Sequence, residues 1–220
     1  ERLEIPSEKV EVLYSGVAPR FRPQEEPGER RRLQERYGLG DPSTEERRPY
    51  VLSVGTLQPR KNYIRLMRAF AELRPDGHKL IIAGGEGWLC EPILAEAEKH
   101  GDRIRMLGFV EESDLPALYR GAALFAFPSL YEGFGLPVLE AMACGVPVVC
   151  SNVSSLPEVA GEAALLTDPH DEEALAEAMQ RVLEDEELQQ QMVTRGLERA
   201  TAFTWERAAQ QLLAAFEAVA

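Results

Sequence analysis

Short apolar runs rich in β-formers alternate with amphipathic stretches along nearly the whole chain. The runs are Val10–Tyr14, Tyr50–Gly55, Lys79–Ala83, Arg103–Leu107, Ala123–Phe127, Pro147–Cys150 and Ala163–Leu166. Helical patterns stand between them, near 29–37, 62–73, 112–120 and from Pro137 onward. A strand that is apolar on both sides must be covered on both faces, which favours a parallel sheet built of βαβ units. The expected fold class is α/β, one doubly wound domain with about six parallel strands and helices on both faces. Such sheets bind ligands beyond the carboxyl ends of their strands. The informative residues therefore belong to the strand-to-helix loops.

Composition narrows the function classes. Lys+Arg is 24 and Asp+Glu is 37, a net charge of −13, which repels nucleic acid and anionic membrane as a whole. The acid-rich stretch 171–187 reads as a solvated helix surface, and R-R-R-L-Q-E-R near Arg30 reads likewise. A chain of 220 residues hides roughly 70% of its unfolded surface and needs no staple. Cys90, Cys144 and Cys150 form no C-x-x-C pair and read as reduced, buried thiols of a cytosolic protein. His78, His100 and His170 are scattered, so no metal site is expected. No apolar run is long enough to span a membrane, and nothing resembles a signal peptide. Glu1 opens the sequence in mid-phrase, which leads us to expect a fragment of a longer protein or a processed form.

Several nucleotide and acyl-transfer motifs are missing. There is no G-x-G-x-x-G after the first strand, no P-loop and no G-x-S-x-G elbow. Two other loops carry chemistry. In Gly55-Thr-Leu-Gln-Pro-Arg60-Lys61-Asn62, a glycine ends a buried strand and two cations follow. A guanidinium fork beside an ammonium suits a diphosphate, and Asn62 is a candidate N-cap for the following helix. In Glu132-Gly133-Phe134-Gly135-Leu136-Pro137, two glycines leave amides open at a helix start. Glu140 is expected in the first turn of that helix, where a carboxylate can accept from a vicinal diol. Cations for a diphosphate, carboxylates for hydroxyls and glycine amides between them describe the three parts of a nucleotide sugar.

The stretches V-G-T-L-Q-P-R-K-N, L-I-I-A-G-G, I-R-M-L-G-F-V, L-Y-E-G-F-G-L-P-V-L-E-A-M-A-C-G-V-P-V-V and S-S-L-P-E-V-A-G-E-A-A-L-L resemble the C-terminal, donor-binding domain of retaining glycosyltransferases of the GT-B fold, the family 4 group. The likeness runs from about Val10 to the last helix. It implies a Rossmann-like domain over 15–203. Residues 1–14 would end an interdomain linker and hold the first strand. The helix 204–220 would pack toward an N-terminal domain that is absent here. It implies that Arg60 and Lys61 hold the donor diphosphate and that Glu132 faces the transferred sugar, these three forming the catalytic set. Gly133, Phe134, Gly135 and Leu136 would contact sugar and phosphate, and Glu140 the ribose. Val110 would meet the base through its main chain, Gly55 would allow close approach, and Gly16 would lie in the hinge near the phosphates.

The implied reaction moves a hexose from a nucleotide-diphosphate sugar to an acceptor hydroxyl with retention, without metal or other cofactor. The wording of the motifs favours mannosyltransferase-like members that build surface polysaccharides, hence GDP-mannose over UDP-glucose. The acceptor would be a glycan or lipid-linked glycan. The place of action would be the cytoplasm, with any contact at the inner face of the membrane made by the absent domain. One departure is Ser15-Gly16-Val17-Ala18, where the family often has N-G-V-D. By the same resemblance the absent domain carries the acceptor site and a reaction-centre histidine, so this chain alone is expected to bind donor and to transfer poorly or not at all. The alternatives are a nucleotide-sugar epimerase of GT-B architecture and a non-catalytic nucleotide-binding module.

Overall fold

The computed structural model describes residue 6 and residues 9–39, 50–74 and 77–219. Residues 1–5, 7 and 8 of the expected linker, and 40–49 of the Pro/Arg/Glu-rich segment, lie outside the described residues. Along the chain come α1 Glu29–Tyr37, β1 Tyr50–Val54, α2 Tyr63–Glu72, β2 Lys79–Ala83, α3 Glu91–Glu98 and β3 Ile104–Gly108. Then follow α4 Leu115–Arg120, β4 Leu124–Phe127, α5 Leu136–Ala143, β5 Val148–Ser151, α6 Leu156–Ala160 and β6 Ala164–Thr167. The chain closes on α7 Glu172–Glu184, α8 Glu186–Thr201 and α9 Trp205–Val219. No described helix is long and apolar enough to cross a membrane.

The six strands make one parallel sheet in the order β3-β2-β1-β4-β5-β6. The order reverses between β1 and β4, so their carboxyl ends open a crevice at the switch point. Side chains alternate between two cores, as a pleated strand requires. Leu52, Phe125 and Phe127 face the helices α1, α4, α5 and α6, with Leu33, Leu118, Leu139 and Leu156. Val51, Leu124 and Ala126 face α2, α3 and α7, with Leu66, Ile93 and Leu175. Cys90, Cys144 and Cys150 are buried free thiols. Burial pushes Cys144 and Cys150 up to about 12, so neither supplies a thiolate near neutral pH.

Two expectations need correction. The run Val10–Tyr14 is not a strand. Val10, Val12 and Leu13 are exposed there, so the run has the β-propensity of a strand but no neighbour to pair with. The arginine run of α1 is more than a solvated face. Arg32 Nε and Arg36 Nη1 bind the fully buried carboxylate of Asp114 at 2.6 and 2.9 Å, and the Tyr37 hydroxyl donates to it at 3.0 Å. Nearby, Arg120 and Glu29 form a buried bidentate pair at 3.0 and 2.5 Å. These charges fix α1 against α4.

Burial of Asp114 works against its ionisation, but hydrogen bonds from Arg32, Tyr37 and Arg36 win and hold it below the usual range. A depressed carboxylate stabilises the fold above the unfolded value of about 3.9 and loses that contribution as pH falls through the folded value. Asp114→Ala should lower stability by about 2–3 kcal/mol, because it removes a carboxylate that accepts three hydrogen bonds, from Arg32, Arg36 and Tyr37. Urea unfolding at pH 7 checks this, and the difference from the parent chain should shrink below pH 3–4 (about the range set by the Asp titration).

Candidate active site

The loop after β1 can approach its neighbours because two glycines permit it. Gly55 has φ +150°, and a Cβ there would lie 3.0 Å from Lys61 Cε and 3.1 Å from the Tyr63 hydroxyl. A Cβ on Gly84 would lie 1.9 Å from the Gly55 carbonyl oxygen. Pro59–Lys61 then form one 3-10 turn. Asn62 takes the left-handed conformation at φ +61° and starts α2 without a side-chain cap. That corrects its expected role. Its side-chain amide donates to the carbonyls of Pro128 and Pro169 at 3.0 and 2.8 Å, tying the loops after β4 and β6 to the cation turn. The backbone adds Leu130 N to Arg60 O at 2.8 Å.

Those ties bring the expected residues of two loops together. Arg60 Nη1 lies 2.7 Å from Glu132 Oε2, and Lys61 Nζ lies 2.8 Å from Glu132 Oε1. Arg60 Nη1 also donates to the Tyr131 carbonyl at 2.5 Å, and Lys61 Nζ sits 4.5 Å above the Phe127 ring. Burial drives the Lys61 ammonium below its usual range, and the Glu132 contact opposes this only in part. Burial would raise Glu132, but its contacts with Lys61 and Arg60 hold it below the usual carboxylate range. One carboxylate facing two cations leaves a net positive site in a strongly acidic chain.

The glycine loop leads from Glu132 into α5. Gly133 is exposed, and a Cβ there would meet nothing within 4 Å. Gly135 has φ +110° and precedes Leu136, the first residue of α5. Glu140 therefore sits in the second turn of the helix, one turn later than expected. Its Oε2 accepts from the Tyr119 hydroxyl at 2.9 Å. Burial makes its carboxyl a weaker acid and pushes its titration above the ordinary carboxylate range, with the Tyr119 hydrogen bond opposing. Phe134 packs with Tyr14 and Phe203 at ring separations of 6.2 and 6.0 Å. Val110 has its side chain in the core. Gly16 packs closely on the start of α9, where a Cβ would fall 2.2 Å from the Trp205 amide nitrogen. Trp205 itself is half exposed.

Sequence reasoning missed the supports of this site. Ser155 Oγ lies 3.0 Å from the Glu132 carbonyl and 2.7 Å from that of Phe134, and Ser154 Oγ accepts from the Glu132 amide at 3.0 Å. Paired serines before L-P-E look like helix capping, yet their hydroxyls serve another loop. Tyr119 and Tyr63 were equally unmarked. The Tyr63 hydroxyl donates to the Gly55 carbonyl at 2.8 Å. Among the described residues, no group of three acidic, histidine or cysteine side chains could hold a metal ion.

The family described as Glycosyl transferases group 1 matches residues 40–199. The O-antigen chain mannosyltransferase B of Escherichia coli is 44% identical over 174 residues, covering 76% of this chain and 45% of that protein. A sucrose-phosphate synthase of Thermosynechococcus elongatus superposes with a TM-score of 0.79 at 30% identity, covering 94% of this chain and 52% of that one. The C-terminal domain of a glycosyl transferase group 1 family protein of Francisella tularensis superposes with a TM-score of 0.67 at 21% identity, over 83% of this chain and 94% of that one. The chain spans about half the length of the first two. Its six-stranded parallel sheet, the R-K-N and E-G-F-G loops and these matches agree: the chain belongs to the glycosyl transferases group 1 family and has the fold of a C-terminal GT-B glycosyltransferase domain.

Proposed function

We propose that the chain is the donor-binding domain of a retaining hexosyltransferase that uses a nucleotide-diphosphate sugar, GDP-mannose before UDP-glucose. The observation that carries this reading is the meeting of Arg60, Lys61 and Glu132 at the β1/β4 switch point, at 2.7 and 2.8 Å. Two cations there hold a protein carboxylate in the place where a diphosphate would be held. In the bound state Arg60 and Lys61 take the diphosphate, and Glu132 is freed to face the hexose. Glu140 accepts from the ribose hydroxyls. The main chain of Gly133–Leu136 contacts sugar and phosphate, and the main chain of Val110 meets the base. Gly55 keeps the cation turn close to the phosphates.

The chemistry then follows from charge. The bond from the anomeric carbon to the diphosphate oxygen breaks, and negative charge grows on the departing phosphate. Arg60, Lys61 and the amides at the start of α5 are already aimed at that charge, so stabilising it requires little reorganisation. The acceptor oxygen forms its bond on the same face, and the departing phosphate takes its proton, which keeps the configuration. In this reading the two fixed cations do the work that a metal ion does elsewhere. The acceptor is a glycan or lipid-linked glycan. The reaction belongs to the cytoplasm, and any membrane contact is assigned to the other domain of the full-length protein.

Calorimetric titration with GDP, UDP and ADP tests the reading. One nucleotide should bind without added metal, and Arg60→Ala and Glu140→Ala should each weaken it about tenfold or more, the scale of a lost charged hydrogen bond. Unchanged affinity in Arg60→Ala would contradict it. Glu132→Gln removes the resident counter-charge, so GDP should bind several-fold tighter while transfer by the full-length protein slows. Tyr119→Phe removes the bond that favours ionised Glu140. Glu140 should then titrate higher, and the acid limb of nucleotide binding should move to higher pH.

A further inference from the structure

We propose that Glu112, held in place by Arg20, reads the base of the donor nucleotide and selects guanine. The presence of a nucleotide here rests on the donor-binding reading above. Glu112 follows Val110, whose main chain would meet the base, by two residues. Two residues span at most about 7 Å, so a base at Val110 comes within reach of the Glu112 carboxylate. That carboxylate is paired with the guanidinium of Arg20, which belongs to the segment before α1. The two side chains are 75% and 45% exposed. An exposed pair of this kind contributes little to stability, and it is open to a ligand.

Both halves of the pair are anchored. The loop after β3 is pinned at Glu111, whose amide donates to the Tyr37 hydroxyl at 3.3 Å and whose carbonyl accepts from the Asp114 amide at 2.9 Å. Arg20 sits in a turn closed by Phe21 N to Ala18 O at 3.0 Å. Its guanidinium lies 5.1 Å from the centre of the Phe21 ring. Phe21 is buried and meets Tyr119 edge-on at 5.9 Å, and Tyr119 donates to Glu140. A chain of contacts thus runs through Glu112, Arg20, Phe21, Tyr119 and Glu140. It joins the loop assigned to the base with the carboxylate assigned to the ribose. The charges are felt along it, since Arg20 favours the ionised form of Glu140 and Glu112 opposes it.

Hydrogen-bond chemistry selects the base. A carboxylate accepts at both oxygens and donates at neither. Guanine presents its N1–H and its N2 amino group side by side, two donors for two oxygens. Uracil presents one N–H between two carbonyl oxygens, which repel a carboxylate. Adenine presents one amino group beside an unprotonated ring nitrogen. Of the three, only guanine gives Glu112 two partners, and a bidentate contact of this kind discriminates strongly between bases. Arg20 occupies lone pairs that the base does not use and fixes the plane of the carboxylate before the base arrives. It acts as a positioning residue, whereas Glu112 touches the base.

Calorimetric titration of the full-length protein with GDP, IDP, UDP and ADP tests this. IDP is GDP without the N2 amino group, so it lacks one of the two donors. The parent protein should bind GDP about tenfold tighter than IDP, the worth of one hydrogen bond to a charged group. Glu112→Ala should bring GDP and IDP to within about twofold of each other, and Arg20→Ala should narrow the gap. Glu140→Ala should weaken both nucleotides alike and leave their ratio unchanged, because it acts on the ribose. A general loosening of the loops does not move that ratio either, so the ratio separates base reading from a structural role. If the parent protein binds no nucleotide, the donor-binding reading and this proposal fall together. If binding depends on Arg60 and Glu140 while the GDP-to-IDP ratio is untouched by Glu112→Ala, or if UDP or ADP binds tightest, this proposal alone is overturned.

Discussion

Glu132 sits between two cations, and much of the local architecture exists to hold it there. Its carboxylate is nearly buried and contacts Arg60 and Lys61 at 2.7 and 2.8 Å. A buried charge cluster of this kind is a poor source of stability, because desolvation offsets most of the attraction. A hydrophobic isostere would hold the loops together as well. What such an isostere cannot do is keep two cations fixed and partly desolvated. The lowered Lys61 and lowered Glu132 report the same compromise from two sides. Burial works against both charges, the contacts between them are enough to keep Glu132 ionised, and the excess of one cation remains.

The sheet delivers this arrangement through connections rather than through strand contents. The order β3-β2-β1-β4-β5-β6 puts the β1 and β4 loops side by side. Asn62 then links three loops with one side chain, and Ser154 and Ser155 support the backbone on either side of Glu132. On another part of the domain, α1 is held by Asp114 and by the Arg120–Glu29 pair. Tyr37 of α1 accepts from the Glu111 amide at 3.3 Å, so the same helix steadies the loop that carries Val110. The glycosyl transferases group 1 match over 40–199 covers the sheet and the site together.

The sheet was legible because periodicity reports burial on both faces, and the strands β1 to β6 fall within a residue or two of the apolar runs. Val10–Tyr14 misled because propensity says nothing about a partner to pair with. Arg60, Lys61, Glu132 and Glu140 were legible because charge beside glycine at a strand end has few structural uses. Their supports were not. Asn62, Ser154, Ser155 and Tyr119 act across separations of 21 to 107 residues, and no local pattern encodes such pairings. Glu140 was placed one turn early because Pro137 marks a helix start only to within a residue or two.

The central claim is that a diphosphate replaces Glu132 as the partner of Arg60 and Lys61. A crystal structure of the protein with its preferred nucleoside diphosphate measures this directly. The account predicts the two phosphates within hydrogen-bond distance of the Arg60 guanidinium and the Lys61 ammonium, with Glu132 withdrawn from both and Glu140 on the ribose. A nucleotide bound elsewhere, or bound while Glu132 keeps both of its ion pairs, would contradict it.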